Sequence, residues 1–372
     1  MKVCIFESEH FESAYPVIKF FDDPKNELFI FTTPETYNRF TGMFKKDIHK
    51  YHWIILSSTK SRFHFFLQMR REIENIQPAL FFINTIPNNH YLFARLIKQL
   101  KNIRVIVTIH DINCMFRAKW SFNPKQLLRR SGKKSIVRGV KEFNVISDTM
   151  IPYLAEKSGG KKVIHNIPGS VFEKKHKEVV IENFIHLVIP GSVDRKRRNY
   201  EEVFALAELA ENRKINLQIT ILGGHRDEYG KSVIKKSRDY SSTIVSFNSY
   251  DTDVVAQDEF DNQMNLAHFI YIPSVIHTAI CDNIQETYGV TKSSGSIFDV
   301  VKHAKPFIIP QQLKVPANLE SSGFRYASVT AIAGLLEQLL QEKNLYTAWQ
   351  QKALVNSEAY TIEKIRSRNQ LL

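Results

Sequence analysis

The 372-residue chain has little cysteine. Cys4, Cys114 and Cys281 are widely separated and form no CxxC pair. That spacing argues against a disulfide scaffold and fits a reducing compartment. Its 14 glycines and 13 prolines are too few for a fibrous or low-complexity chain, and 43% hydrophobic residues are too many for a disordered one. No apolar run approaches the length of a bilayer-spanning helix. Acidic residues enter the N-terminus (MKVCIFESEHFE) too early for a secretory signal. The expected location is therefore cytoplasmic, in solution or on the inner face of the membrane. The 13 histidines show no HExxH or His-x-His pairing, so neither a metal site nor a resident cofactor is expected. There is no GxxxxGK[ST] loop, no GxGxxG after the first apolar run and no GxSxG elbow. These absences argue against a P-loop NTPase, an NAD-type dehydrogenase and a serine hydrolase.

Positive charge is abundant and one-sided. Residues 1–178 hold 30 Lys/Arg against 16 Asp/Glu, and residues 179–372 hold 21 against 22, so the net charge of +13 belongs to the first half. From Ile112 to Lys141 there is no acid, and Arg117, Lys119, Arg129, Arg130, Lys133 and Lys134 are interleaved with Phe116, Trp120, Phe122, Leu127 and Leu128. Bases mixed with Trp, Phe and Leu suit an anionic membrane surface, where each base near the headgroups contributes about 1 kcal/mol. A solvated basic face with some core aromatics is the plainer reading, and a nucleic-acid partner, which rests on net charge alone, is not expected.

Short apolar runs alternate with amphipathic stretches. Strands are predicted at Val3–Phe6, Leu28–Thr32, Trp53–Leu56, Leu80–Ile83, Val105–Ile109, Phe143–Ile146 and Lys162–His165, with helices such as Arg62–Ile76 and His90–Leu100 between them. The polar stretch Phe172–Val179 interrupts the rhythm, which then restarts with strands Phe184–Ile189, Leu217–Leu222, Thr243–Phe247, Phe269–Ile272 and Pro306–Ile309. Alternating strand and helix predicts βαβ units with parallel sheets. The expected division is 1–175, 176–355 and a C-terminal helical segment, 356–372. Ligands of open α/β sheets bind at the C-terminal strand ends, so two facing sheets would share one cleft.

Two segments suit an anion. In Thr291–Pro310, Ser293, Ser294, Gly295 and Ser296 precede a helix and leave its first N–H groups open beside Lys292. An ordinary serine N-cap is the alternative. In Pro190–Val203, Ser192, Arg195, Lys196 and Arg198 follow the first strand of the second domain, where convergence on that helix start would suit a diphosphate. In the first domain, Glu7, Glu9 and His10 follow the first strand, and His110 and Asp111 end the strand at Val105–Ile109. Glu9, His10, His110 and Asp111 are the candidate catalytic groups, since a carboxylate or imidazole at a cleft edge can act as a positioned base. A backbone-bonded core histidine, a solvated loop and a helix cap are the plainer readings of His110, of Glu9 and His10, and of Asp111.

In the order of its segments the chain resembles GT-B glycosyltransferases, particularly glycosyltransferase family 4. The segments are VTIHDIN (Val107–Asn113), FNVISDTMIPYL (Phe143–Leu154), VIHNIP (Val163–Pro168), the basic turn at Pro190–Glu211, ITILGG (Ile219–Gly224), VSFNSY (Val245–Tyr250), FIYIPS (Phe269–Ser274) and the helix–AKP–strand unit Ser296–Pro310. The resemblance implies an α/β chain of two Rossmann-like domains facing a cleft, with the C-terminal helix of 356–372 packing back on the first domain. It implies a nucleotide-sugar donor on the second domain, with its diphosphate held by Arg195, Lys196 or Arg198 and by Lys292 through Ser296. Phe247 and Asn248 would lie at the base. The acceptor implied is a carbohydrate, lipid-linked in the case of bacterial surface polysaccharide or glycoconjugate synthesis. The chain departs from the family at the Glu-x7-Glu motif, which would fall on Thr291 and Asp299, with Glu286 as the nearest substitute. That departure keeps open a non-catalytic scaffold of the same fold, alongside a sugar-nucleotide epimerase.

Overall fold

The computed structural model describes residues 1–56, 62–117, 121–280 and 282–369. Seven strands form the first sheet: β1 (Lys2–Phe6), β2 (Glu27–Thr32), β3 (His52–Ile55), β4 (Leu80–Ile83), β5 (Arg104–Thr108), β6 (Glu142–Asn144) and β7 (Val163–His165). Their spatial order is β3-β2-β1-β4-β5-β6-β7, with every pairing parallel. The second domain contributes β8 (Ile185–Pro190), β9 (Leu217–Leu222), β10 (Val245–Ser249), β11 (Phe269–Tyr271), a short hairpin of β12 (His277–Thr278) and β13 (Glu286–Thr287), then β14 (Phe307–Pro310) and β15 (Gly323–Tyr326). Its main sheet is parallel, in the order β10-β9-β8-β11-β14-β15. The hairpin and β15 were not expected. Two-residue strands leave no periodic signal, and GFRY in β15 opens with a glycine and mixes charge with aromatics.

Helices cover both faces of both sheets, which is why strands such as LFFI in β4 and IHLVIP in β8 are buried throughout. One face of the first sheet packs α1 (Phe11–Phe21) and α2 (Pro34–Phe44). The other packs α3 (Arg62–Ile76), α4 (His90–Gln99), α5 (Ile112–Phe116), α6 (Pro124–Gly139) and α7 (Ile151–Lys157). In the second domain, α8 (Tyr200–Asn212) and α9 (Glu228–Asp239) share one apolar layer with α12 (Val329–Gln341), while α10 (Gln257–Leu266) and α11 (Gly295–His303) occupy the other.

The expected 356 boundary falls inside α13 (Lys343–Glu358). Tyr346, Gln350, Ala353 and Ser357 repeat at helical spacing and bury one face, which keeps the helix on the second domain to its end. The crossing is made by α14 (Ile362–Arg368), which lies against α1. Arg366 closes that contact by donating to the carbonyls of Lys19 (2.9 Å), Phe20 (2.9 Å) and Asp22 (2.7 Å), oxygens the end of α1 leaves open. Among the described residues no helix is long and apolar enough to cross a membrane.

Candidate active site

In a parallel sheet, the strand whose two neighbours arise from opposite directions of winding opens a crevice at its C-terminal end. Here those positions are β1 beside β4 and β8 beside β11. The first-domain wall is organised by Glu7, just beyond β1. Its buried Oε1 accepts the backbone N–H groups of Ser8 (2.6 Å), Glu9 (2.5 Å) and His10 (2.7 Å). Its Oε2 accepts from Asn84 Nδ2 (2.6 Å) and Thr85 Oγ1 (2.8 Å), just beyond β4. Glu7 therefore shapes the loop, while Glu9 and His10 stand exposed on it.

His110, just beyond β5, lies with Nε2 2.8 Å from the Asn84 carbonyl. A carbonyl only accepts, so Nε2 carries the proton and Nδ1 keeps its lone pair. Burial pushes the imidazole down to about 4, leaving it neutral near pH 7. The rings of His10 and His110 are 4.9 Å apart. Desolvation raises the carboxyls of Glu9 and of Glu12, in the first turn of α1.

The opposite wall carries the anion-binding elements. Arg198 folds back over the turn after β8, with Nη1 donating to Ser192 O (2.9 Å) and Nη2 to the Pro190 carbonyl and Ser296 Oγ (3.1 Å). Gly191 has φ +92°, and a Cβ there would collide with the Arg198 guanidinium, so glycine lets the arginine lie across the turn. Ser296 is in the first turn of α11. That turn has no acidic residue, and its N-cap, Ser294, makes no side-chain cap. A Cβ on Gly295 would meet open space. Free N–H groups, a helix N-terminus and a guanidinium thus meet at one point. One turn on, burial lifts the half-buried Asp299 to about 7 against the pull of Lys302 and Arg198, and Glu12 of the other domain adds to the rise. Glu12 had no sequence signal, since its proximity to Asp299 arises only when the domains face each other.

Several expected donor residues lie elsewhere. Lys292 reaches across the cleft to Asp111, with Nζ 2.5 Å from Oδ1. Both are therefore engaged in an interdomain ion pair, and Asp111 makes no side-chain cap to the helix that follows it. Glu286, on the hairpin, is buried and also turns to the first domain, accepting from the backbone N–H of Cys114 (2.6 Å) and Asn113 (3.3 Å) at the start of α5. Burial raises its carboxyl to about 7. Arg195 and Lys196 are exposed, and Ser293 is half-buried. Phe247 is within β10, packed on Phe204 and Tyr240 at 5.4 and 5.2 Å, so the strand rather than a loop holds it. Asn248 Nδ2 lies 3.4 Å from the Tyr250 hydroxyl.

The basic stretch of the first domain divides. Arg129 and Lys133 do not belong to an outer surface. Arg129 Nη1 is 2.6 Å and Lys133 Nζ 2.8 Å from the Asp282 carboxylate of the second domain, and Lys133 also donates to Cys114 O (2.8 Å). These side chains sit where α6 meets the other domain, and a buried ammonium requires such partners. Lys134 is exposed, Arg130 is half-buried, and Arg117 lies 3.4 Å from the Tyr153 hydroxyl. Lys119 and Trp120 lie outside the described residues. Cys4 is a buried free thiol but Cys114 is disulfide-bonded, so the argument from cysteine spacing to a reducing compartment falls. Among the described residues no three His, Cys, Asp or Glu side chains cluster as metal ligands would.

Two parallel-sheet domains, each with its switch point on a shared cleft and joined by a returning C-terminal helix, define the GT-B fold. Neither a protein-family model nor a curated protein sequence matches the chain. Among solved structures, sucrose-phosphate synthase from Thermosynechococcus elongatus is similar at TM-score 0.64 and 12% identity, covering 99% of this chain and 96% of that one. The S. aureus MnaA–UDP co-structure is similar at TM-score 0.56 and 11% identity, over 98% and 94%. UDP-GlcNAc 2-epimerase from Neisseria meningitidis, bound to UDP-GlcNAc, is similar at TM-score 0.52 and 11% identity, over 99% and 98%. The chain therefore has the GT-B fold along almost its whole length.

Proposed function

We propose that the protein is a glycosyltransferase of the family-4 kind that moves a sugar from a nucleotide-sugar donor to a carbohydrate acceptor. The observation that carries this reading is the convergence of Arg198, Ser296 and the open first turn of α11 beside the switch point of the second sheet. A guanidinium with helix N–H groups matches the charge and spacing of a diphosphate, and Glu9, His10 and His110 stand just beyond the C-terminal ends of β1 and β5 in the other domain. In this reading Arg198 and α11 hold the leaving diphosphate and neutralise charge that grows as the glycosidic bond to phosphate breaks. Neutral His110, with its Nδ1 lone pair unprotonated, takes a hydrogen bond from a sugar hydroxyl. Glu9 or His10, exposed at the cleft edge, accepts the proton of the attacking hydroxyl. No metal or resident cofactor is required. A lipid-linked acceptor in bacterial surface polysaccharide or glycoconjugate synthesis is the version that the basic first domain favours.

The similarity to a UDP-GlcNAc 2-epimerase at matching chain length supports a second reading, epimerisation of a nucleotide-sugar. A thermal-shift panel of UDP, GDP, CMP, ADP, dTDP and their sugars tests both. Stabilisation by one nucleotide family, followed by release of its nucleoside diphosphate only when acceptor glycan is added, supports transfer. An isomerised nucleotide-sugar formed without acceptor moves the assignment to epimerase. No response to any nucleotide leaves the scaffold reading.

A further inference from the structure

At a switch point of a parallel sheet, the turn that enters a helix offers backbone N–H groups and the positive end of that helix, a natural seat for phosphate. The two domains hold such turns in opposite states. At the start of α11 the seat is open, since Ser294 makes no side-chain cap and the first turn has no acidic residue. Between β1 and α1 it is filled. The N–H groups of Ser8, Glu9 and His10 converge on one oxygen, Glu7 Oε1, as they would on an oxygen of phosphate. Glu12 adds a further carboxyl in the first turn of α1. The filling group is fixed in place. Glu7 is fully buried, and its backbone N–H donates to the Phe31 carbonyl (3.0 Å). Its Oε2 is the acceptor for Asn84 Nδ2 and Thr85 Oγ1, both on buried residues. Swinging the carboxylate out would leave these two donors and the three N–H groups unpaired, which buried polar groups resist. The same donors occupy the roughly four lone-pair positions of a carboxylate, so Glu7 has none left with which to act as a base. All of these partners are neutral, so none of them cancels its charge.

We propose that Glu7 is a built-in anion that closes the phosphate seat of the first domain and restricts that wall to a sugar without a phosphate group. Two anions cannot share one nest, either in size or in charge. A single phosphate pole then remains, at Arg198 and the start of α11, and it sets the direction of a nucleotide-sugar. The diphosphate lies on the second domain and the sugar end points to the first. The acceptor presents uncharged hydroxyls to the turn after β1, and any phosphate that links it to a carrier lies away from that turn. The closed seat stands on geometry alone, whereas the naming of donor and acceptor rests on the transfer reading above.

Inorganic phosphate, standing in for a sugar phosphate, tests this when titrated against the backbone amide NMR signals. In the wild type the signals of Gly295 and Ser296 are expected to move and those of Ser8, Glu9 and His10 to stay. Movement of the latter three in the wild type overturns the proposal. Arg198→Ala should weaken phosphate binding at least about 10-fold, through loss of a charge-assisted contact. Adding Glu7→Ala to that variant empties the nest. Phosphate should then move Ser8, Glu9 and residue 10, and bind at least about 10-fold more tightly than it does to Arg198→Ala alone. Circular dichroism establishes that the double variant is folded, and a folded double variant with no such gain also overturns the proposal. If it does not fold, the wild-type titration decides. A wild type in which neither set of signals moves, with the gain still present in the double variant, would uphold the closed seat and remove the functional reading.

Discussion

Two basic runs of similar appearance, Arg195–Arg198 in the second domain and Arg117–Lys141 in the first, end in opposite electrostatic states. Both send part of their charge inward and leave the rest in solvent. Arg198 turns inward onto a carbonyl lattice, a serine hydroxyl and a helix N-terminus, none of which neutralises it. Arg129 and Lys133 turn inward onto the Asp282 carboxylate, which cancels much of their charge and joins the domains. Positive potential in the cleft therefore depends on what each base meets rather than on how many bases a segment holds. Lys292 repeats the point, since Asp111 takes the charge that the sequence reserves for phosphate.

The largest expected effect comes from breaking the neutralised cluster. Asp282→Ala leaves Lys133 buried with no carboxylate and should cost about 3–5 kcal/mol of stability, read by urea unfolding. A loss within the scatter of surface substitutions would mean that water replaces the carboxylate. Arg366→Ala removes three donors from the end of α1 and should cost about 1–3 kcal/mol, with a lower melting temperature as the readout. Asp111→Asn sharpens the comparison from the other side. It releases Lys292 toward the cleft and should tighten nucleoside diphosphate binding by about two- to threefold, a modest gain typical of one partly exposed charge. Unchanged or weaker binding would place Lys292 outside the reach of phosphate.

A pH effect follows from Glu286. Its folded-state carboxyl is raised to about 7 from an ordinary value of 4.5, so the folded chain holds this proton more tightly than the unfolded one. That contribution is fully present below pH 4.5 and is lost as pH rises through 7. The wild-type melting temperature should fall relative to Glu286→Gln between those values, and parallel curves would show that the carboxyl is not buried in solution.

Most of the fold was legible because β1, β4, β9 and the strands around them are short apolar runs between amphipathic helices, a pattern that burial on both sheet faces imposes. Parallel pairing followed from that alternation, whereas the returning helix was implied only by the family resemblance. The site was legible where one segment carries its own signal, as in the glycine, serine and arginine positions around Gly191, Arg198 and Ser296. It was not legible where chemistry depends on juxtaposition of the two domains. Asp111 with Lys292, Glu286 on the start of α5 and Glu12 opposite Asp299 are each separated by well over a hundred residues, and no spacing rule reaches that far. The inward turn of Lys133 was hidden for the same reason.

Calorimetry of nucleoside diphosphate binding to the wild type, Arg198→Ala and Lys196→Ala tests the central claim most directly. The account predicts binding to the wild type, at least about 10-fold weaker binding to Arg198→Ala, as befits loss of a charge-assisted contact, and a change within about threefold for the exposed Lys196→Ala. Equal losses in both variants, or none in Arg198→Ala, would contradict it.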